Sequence, residues 1–315
     1  MQRYLVSRVL ALVPVLCGIL AVVFLLIRLI PGDAVQLFLG TQVEMTPAQM
    51  VELRRFFGVD KPIPAQFVDY LTRIVRGDFG VSLRTARPVL PDILTRLPLS
   101  FQLATLALAI ALLIAIPLGI VSALARNSTT DVVARIGGLL GLSIPNFWLG
   151  AMLILVFSRV GRVPLGQYAP LSQHPLMTLR SLALPAVALG MAIAAILMRH
   201  VRSSLLEVLG QEYIRTAHGK GLRARVVMLR HALPNAMIPV ITVLGFQMGY
   251  LLGGTVVIEE IFALPGMGRL VLQAIFQRDY PVVQGVVLVI AFLFVLTNLI
   301  VDVLYAWIDP RIRYG

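Results

Sequence analysis

Charge is scarce in this sequence. Asp, Glu, Lys and Arg make up 13% of its 315 residues, while 58% are hydrophobic. Soluble domains carry about twice that share of charge. A chain so poor in polar groups cannot cover a water-facing surface, which excludes an ordinary soluble globular fold. Cysteine is almost absent too. The single Cys17 rules out an intramolecular disulfide, a paired-cysteine redox centre and a cysteine-rich zinc site. Set in an apolar run, it reads as a small packing residue. The four histidines, His174, His200, His218 and His231, show no metal spacing.

The familiar catalytic patterns are missing as well. Gly219-Lys220 has no glycine upstream to make a phosphate loop, and Gly266-Met267-Gly268 lacks the third glycine of a dinucleotide loop. No HExxH and no GxSxG pattern occurs. The sequence therefore predicts no enzyme activity, no ATP hydrolysis by this chain, no cofactor and no metal. If transport is active, its energy comes from another chain or from an ion gradient.

What the sequence has in abundance is long apolar runs, with a mean hydropathy of +0.90. A bilayer core of about 30 Å needs about 20 mainly apolar residues per helix. Six stretches qualify: Leu10–Ile30 (interrupted by Pro14), Leu99–Leu124, Ile136–Val160, Leu179–Met198, Asn235–Ile258 and Val282–Trp307. The first is too long for a signal-peptide core and no small-x-small site follows Pro31-Gly32-Asp33, so it reads as a retained helix. The expectation is an all-α integral membrane protein with six spans.

The net charge of +12 would suggest nucleic acid in a soluble chain, but here its position decides. Residues 1–9, 125–135, 199–234 and 308–315 carry 13 basic against 4 acidic residues, a balance of +9. Residues 31–98, 159–180 and 259–281 carry 13 against 10, a balance of +3. The positive-inside rule then places both termini in the cytoplasm, and nucleic acid is not expected as a partner. The chain divides into 1–30, an external segment 31–98, a five-helix core 99–307 and a tail 308–315.

Segment 31–98 is patterned enough to fold. Thr46-Pro47-Ala48-Gln49 predicts a helix start, running to Phe57 and stopping at Gly58. A second helix over Pro64–Arg76 would present Phe67, Tyr70, Leu71, Ile74 and Val75 on one face, closed by Gly77. Pro91–Leu97 is a third short candidate. In segment 199–234, Ser204-Leu205-Leu206-Glu207 has capping-box spacing, with Gly210 as a stop. A second short helix over Gln211–Lys220 ends at Gly221, and the fifth span begins at Leu233-Pro234. The segment is either a solvated basic loop or a helix pair presented to a cytoplasmic partner.

Polar groups inside the spans are few. Asn146, Gln247 and Asn298 either hydrogen-bond between helices or line a pathway. Asp302 can pair with Arg311 or Arg313 or cap the backbone. Gly245, Gly249 and Gly253 form a small-residue stripe, for internal packing or a subunit interface. An ion-coupled secondary transporter or channel would call for paired intramembrane charges or inverted repeats, and neither is visible.

Residues 212–221, Glu-Tyr-Ile-Arg-Thr-Ala-His-Gly-Lys-Gly, and 231–236, His-Ala-Leu-Pro-Asn-Ala, resemble the cytoplasmic loop of binding-protein-dependent ABC importer permeases. Aligned on Pro234, the family's Glu-Ala-Ala falls on Arg215-Thr216-Ala217, its glycine on Gly221 and its Ile on His231. The departures at 215 and 231 resemble the dipeptide/oligopeptide/nickel branch. Further pieces in order strengthen the likeness: Arg8 to Asp33, Gly77-Asp78-Phe79-Gly80-Val81-Ser82, Glu259 through Arg269, Arg278-Asp279-Tyr280-Pro281, and Asn298 to Arg311. The long first external segment resembles the B-type permease.

The resemblance implies a bacterial inner-membrane subunit that forms half of a translocation path with a second, C-type permease. Two cytoplasmic ATPase subunits or domains and a periplasmic or lipid-anchored binding protein complete the machine. Peptides are the implied cargo, with glutathione, nickel chelates and sugars as alternatives. The coupling loop would use Glu212, Tyr213, Arg215, Thr216, Ala217, Gly219, Lys220, Gly221, Leu233 and Pro234. Glu259, Pro265, Gly266, Gly268 and Arg269 would form an external gate or a binding-protein contact.

Overall fold

In lipid a backbone can satisfy its hydrogen bonds only within itself, and the long apolar runs of this chain fold into helices. The computed structural model describes residues 2–28, 52, 60–159, 166 and 168–308. Its helices are α1 (Gln2–Arg28), α2 (Ile63–Val75), α3 (Val89–Leu124), α4 (Thr129–Ser143), α5 (Asn146–Ser158) and α6 (Pro175–Leu209). Then follow α7 (Glu212–Gly219), α8 (Ala224–Gly254, with a π-helical turn at Val227–Ala232), α9 (Val256–Ile261), α10 (Met267–Phe276) and α11 (Tyr280–Ile308). The helix predicted from Thr46 to Phe57, the Pro31-Gly32-Asp33 turn and the Arg311 and Arg313 partners of Asp302 lie outside the described residues.

Among the described residues, α3, α6, α8 and α11 are each long and apolar enough to cross a membrane. The third run, Ile136–Val160, is not one straight span. It breaks into α4 and α5, bent by 95°. Pro145 is the cause: it has no N–H to donate and its ring excludes the preceding turn's carbonyl. Ile144 before it takes the extended conformation that proline imposes, φ −84°, ψ 118°. Counting the bent pair once gives up to five candidate spans. The apolar part of α1, Leu10–Leu25, is shorter than the rest, although the helix runs unbroken through Pro14.

Two short predicted elements merge into longer ones, and one span starts earlier than expected. Pro91–Leu97 is the first part of α3, not a separate helix. No helix starts at Ser204; α6 continues through it to Leu209, because Leu197, Val201 and Leu205 keep one buried stripe in register. Gly210 does end that helix, with an ordinary right-handed φ of −79°. The fifth span begins at Ala224, not at Pro234. The π turn absorbs the donor that Pro234 lacks, and Asn235 Nδ2 donates to His231 O at 2.7 Å.

The helix α2 matches its predicted range. Phe67 and Tyr70 pack on Phe24 of α1, with ring centroids 5.1 and 5.5 Å apart. Val75, assigned to the same face, is 84% exposed and points away. Cys17 is also exposed, not packed; among the described residues α1 leans chiefly on α11 and α2.

The core is the pair α3 and α6, which run parallel with their ends matched: Ala107 lies beside Gly190 and Gly119 beside Val201. Ala104, Ala107, Ala111, Ala115 and Gly119 recur at helical spacing on α3 and are all buried. Gly190 of α6 sits so close that a Cβ would stand 2.7 Å from Ala107 O, and one on Gly119 would stand 2.7 Å from Val201 Cβ. Around α6 pack α4, α5 and α8. The Gly245–Gly249–Gly253 stripe is internal packing: it faces Val301, Phe294 and Ile290 of α11.

These contacts separate two kinds of glycine. Gly249→Leu forces a side chain into Phe294 and should destabilise by about 1–3 kcal/mol, read as a lower thermal unfolding midpoint in detergent. Gly137→Ala meets open space and should be neutral or stabilising by up to about 1 kcal/mol through helix propensity. Equal effects of the two would contradict the packing assignment.

Candidate functional site

The short helix α7 lies at one end of the bundle and is built from an amphipathic octet. Ile214 and Ala217, three residues apart on one face, are 2% and 8% exposed. They join Ala123 of α3, Leu205 of α6, and Val227, Ala232 and Ala236 of α8 in one apolar cluster. Glu212, Tyr213, Arg215, Thr216, Gly219 and Lys220 are all exposed on the outer side. Glu212 stands in the first turn, where the helix dipole favours a carboxylate. Arg215 Nη1 pairs with its Oε1 at 3.0 Å, a solvated pair that adds little stability.

Gly221 terminates α7 in the left-handed region, φ +78°. Gly221 N donates to His218 O at 2.9 Å and Leu222 N to Ala217 O at 3.4 Å. This is the paired closure that requires a residue free of Cβ strain. Leu233 is half-buried and Pro234 exposed, at the same end on α8. The arrangement offers a polar face whose underside rests on the π turn of α8 and joins an apolar cluster to which α3 and α6 also contribute.

The opposite end holds the second predicted group. Glu259 does not face outward: it is 0% exposed. Its Oε1 accepts from Ser100 Oγ at 2.7 Å and Thr255 Oγ1 at 2.9 Å, and its Oε2 accepts from Arg269 N at 3.0 Å. Ser100 Oγ in turn accepts from Met267 N at 2.9 Å. The carboxylate thus caps the first turn of α10 from across the loop. Gly266 and Gly268 are buried beside it; a Cβ on Gly266 would enter the Glu259 carboxylate, and one on Gly268 would stand 2.6 Å from Val256 Cα. Of the five residues, only Pro265 is exposed, while Arg269 is half-buried, with Nη1 on Ala263 O at 3.0 Å and Nε 3.2 Å from Glu260.

Two other motifs meet at this end. Ser82 Oγ and Leu83 N donate to the buried Asp279, and Arg84 Nε donates to Gln277 O at 2.7 Å. So 77–82 and 278–281, far apart in sequence, form one corner. Arg73 beside Asp78, with the Gly80 N–H, holds the Asp78 carboxyl below the usual carboxylate range. The third predicted group is not brought together. Asn146 opens α5, Gln247 sits on the side of α8 turned from its glycine stripe, and Asn298 is on α11; all three are half-buried.

One cluster escaped the sequence reading. Asp131, counted there only as a charge, is 0% exposed. It receives Arg202 Nε and Nη2, each at 2.8 Å, Ser122 Oγ at 2.6 Å and Asn127 N at 3.0 Å. A local signal existed: Ser128-Thr129-Thr130-Asp131 has capping-box spacing, and Ser128 Oγ accepts from Asp131 N at 3.3 Å. The partner 71 residues away had none.

Comparison with known proteins agrees along the whole chain. The family model described as "binding-protein-dependent transport system inner membrane component" matches residues 115–314, and the model of its N-terminal membrane component matches residues 1–104. A glutathione transport system permease protein of Pectobacterium atrosepticum is 41% identical over 314 residues, covering 100% of both chains. A putative peptide transport system permease protein of Brucella abortus is 42% identical over 315 residues, again 100% of both. The glutathione transport system permease protein of Escherichia coli K12 is 40% identical over 316 residues, 100% of both.

The Glu259 hub generates a stability test. Glu259→Ala strands three donors in a buried corner, each costing about 1–3 kcal/mol when unpaired. Glu259→Gln keeps one acceptor oxygen and the shape, and should lose less. Thermal unfolding of the detergent-solubilised protein should order wild type above Gln above Ala. An alanine variant as stable as wild type would show that the corner does not depend on this carboxylate.

Proposed function

The chain belongs to the family of binding-protein-dependent transport system inner membrane components, and from that premise we propose that it is the B-type permease subunit of a peptide-importing ABC transporter. One observation carries the coupling role: α7 is seated by Ile214 and Ala217 on α3, α6 and α8, with its polar face outward. A groove in a cytoplasmic ATPase subunit would take that face. Closure of two ATPases on nucleotide then displaces α7 as a rigid body, and the three helices beneath it turn that displacement into alternating access.

The excess of basic residues at the α7 end supports a cytoplasmic placement for it and for both termini. Six spans follow if α1 crosses and α4 with α5 counts once; the 27 residues of α1 reach roughly 40 Å, more than a bilayer core. The corner built by Glu259, Asp279 and α2 then faces outside. Pro265 and its flanks are the candidate contact for a periplasmic or lipid-anchored binding protein, with Glu259 behind them as support. A C-type permease completes the path, and Asn146, Gln247 and Asn298 are candidates for its polar lining.

The cargo class rests on the names of the relatives. Glutathione is a tripeptide, so a glutathione permease and a peptide permease handle one chemistry. Small peptides delivered by the binding protein are the proposed substrates. The chain supplies no ATP-hydrolysing residues, and hydrolysis belongs to its partners.

The test is copurification and uptake with the complete transporter. Tagged wild-type chain should bring an ATPase out of solubilised membranes, and Ile214→Asp, which unseats α7, should lose it. Gly221→Val forces a branched residue to φ +78°; it should keep the ATPase bound yet cut labelled dipeptide uptake by about tenfold or more. Transport by the isolated chain in ATP-depleted vesicles would overturn the reading.

A further inference from the structure

The buried Asp131 cluster is built on residues that neighbour, along α3 and α6, members of the cluster that seats α7. Ser122, which donates to it, precedes Ala123, and Arg202 stands three residues before Leu205 on α6. Ala123 and Leu205 are the α3 and α6 members of the cluster that seats α7. Asp131 itself belongs to the first turn of α4. Its two oxygens therefore tie three elements together: α3 through Ser122, the α3–α4 turn through Asn127 N, and α6 through the paired nitrogens of Arg202. Arg135 Nε, 3.7 Å from Oδ1, is the remaining cation nearby. Further along, α4 lies tightly on α6, with Gly138 against Met198 and Gly141 against Ala195, and ends at the 95° bend before Pro145.

A buried ion pair is a poor source of stability, since an apolar replacement of the same volume often serves as well. What a bidentate, four-donor carboxylate provides is a fixed geometry. We propose that Asp131 is a positioning residue for energy coupling, locking α3, α4 and α6 into one body under α7 so that displacement of α7 is carried along α4 to the bend at Pro145. Without the lock, α7 still presses on Ala123 and Leu205, but α4 is free to lag and the motion is dissipated between helices. The proposal rests on the reading of α7 as the coupling helix.

The experiment uses the whole transporter in proteoliposomes, with its binding protein and a labelled dipeptide. It reads molecules imported per ATP hydrolysed, normalised to assembled complex. Asp131→Asn and Arg202→Lys should lower import about tenfold while hydrolysis stays within about twofold. Asp131→Glu, which keeps the charge, should fall between them and wild type. A purely structural role would reduce import and hydrolysis in proportion, leaving the ratio unmoved. That result overturns the proposal, as does wild-type coupling in both variants or failure of both to assemble. If the wild-type complex itself imports without hydrolysing ATP, the coupling-helix reading fails instead.

Discussion

The contact between α3 and α6 is the one on which the remaining structure depends. Between lipid-facing helices the hydrophobic effect supplies no attraction, since lipid is as apolar as leucine. Association must come from close packing, and small residues make it possible. Ala107 against Gly190 and Gly119 against Val201 let the two backbones approach along their length. The result is that 67% of the apolar window of α6 is buried inside the chain, against 28% for α3 and 17% for α11. Helices α4, α5 and α8 all lean on α6, and the outer helices keep broad apolar faces toward lipid.

Two carboxylates fasten the ends of this pair. Ser100 and Ser122, both on α3, donate to Glu259 and Asp131, and neither carboxylate has any exposed surface. Twenty-two residues of helix separate the two serines, roughly 33 Å, close to the thickness of a bilayer core. At each end a buried anion replaces the water that polar loop backbone would otherwise seek. At one end it caps α10 and shapes the Pro265-Gly266-Met267-Gly268 turn. At the other, the α7 end, it joins the α3–α4 turn to α6.

This placement explains why α7 can matter although it is eight residues long. An isolated helix of that length is not stable in water. Here Ile214 and Ala217 hold it on the π turn of α8 and in an apolar cluster shared with α3 and α6, and Gly221 closes it at a set angle. Among the described residues the polar face makes only local bonds, the Glu212–Arg215 pair and Thr216 Oγ1 donating to Glu212 O at 3.0 Å. Such a helix moves with its seat, which suits a chain that must pass a partner's motion into the membrane.

Much of this was legible in the residues. Hydropathy located the long helices, charge asymmetry distinguished the two ends, and α2 and α7 fell within about a residue of their predicted ranges, because amphipathic spacing and helix stops are local signals. The residues of the coupling loop also stand together because they are nearly contiguous. Where one helix runs into another, local signals misled. Ser204 and Pro91 look like starts, but continuous burial along α6 and α3 overrides them; the third apolar run looks like one span, but Pro145 bends it by 95°. The sequence by itself determined the membrane class, the helical segments and the conformation of Gly221, through composition, period and backbone sterics. Only the tertiary structure decided that Glu259 turns inward, that the glycine stripe of α8 serves α11, and that Asp131 meets Arg202, because each depends on groups tens of residues apart whose approach no local pattern encodes.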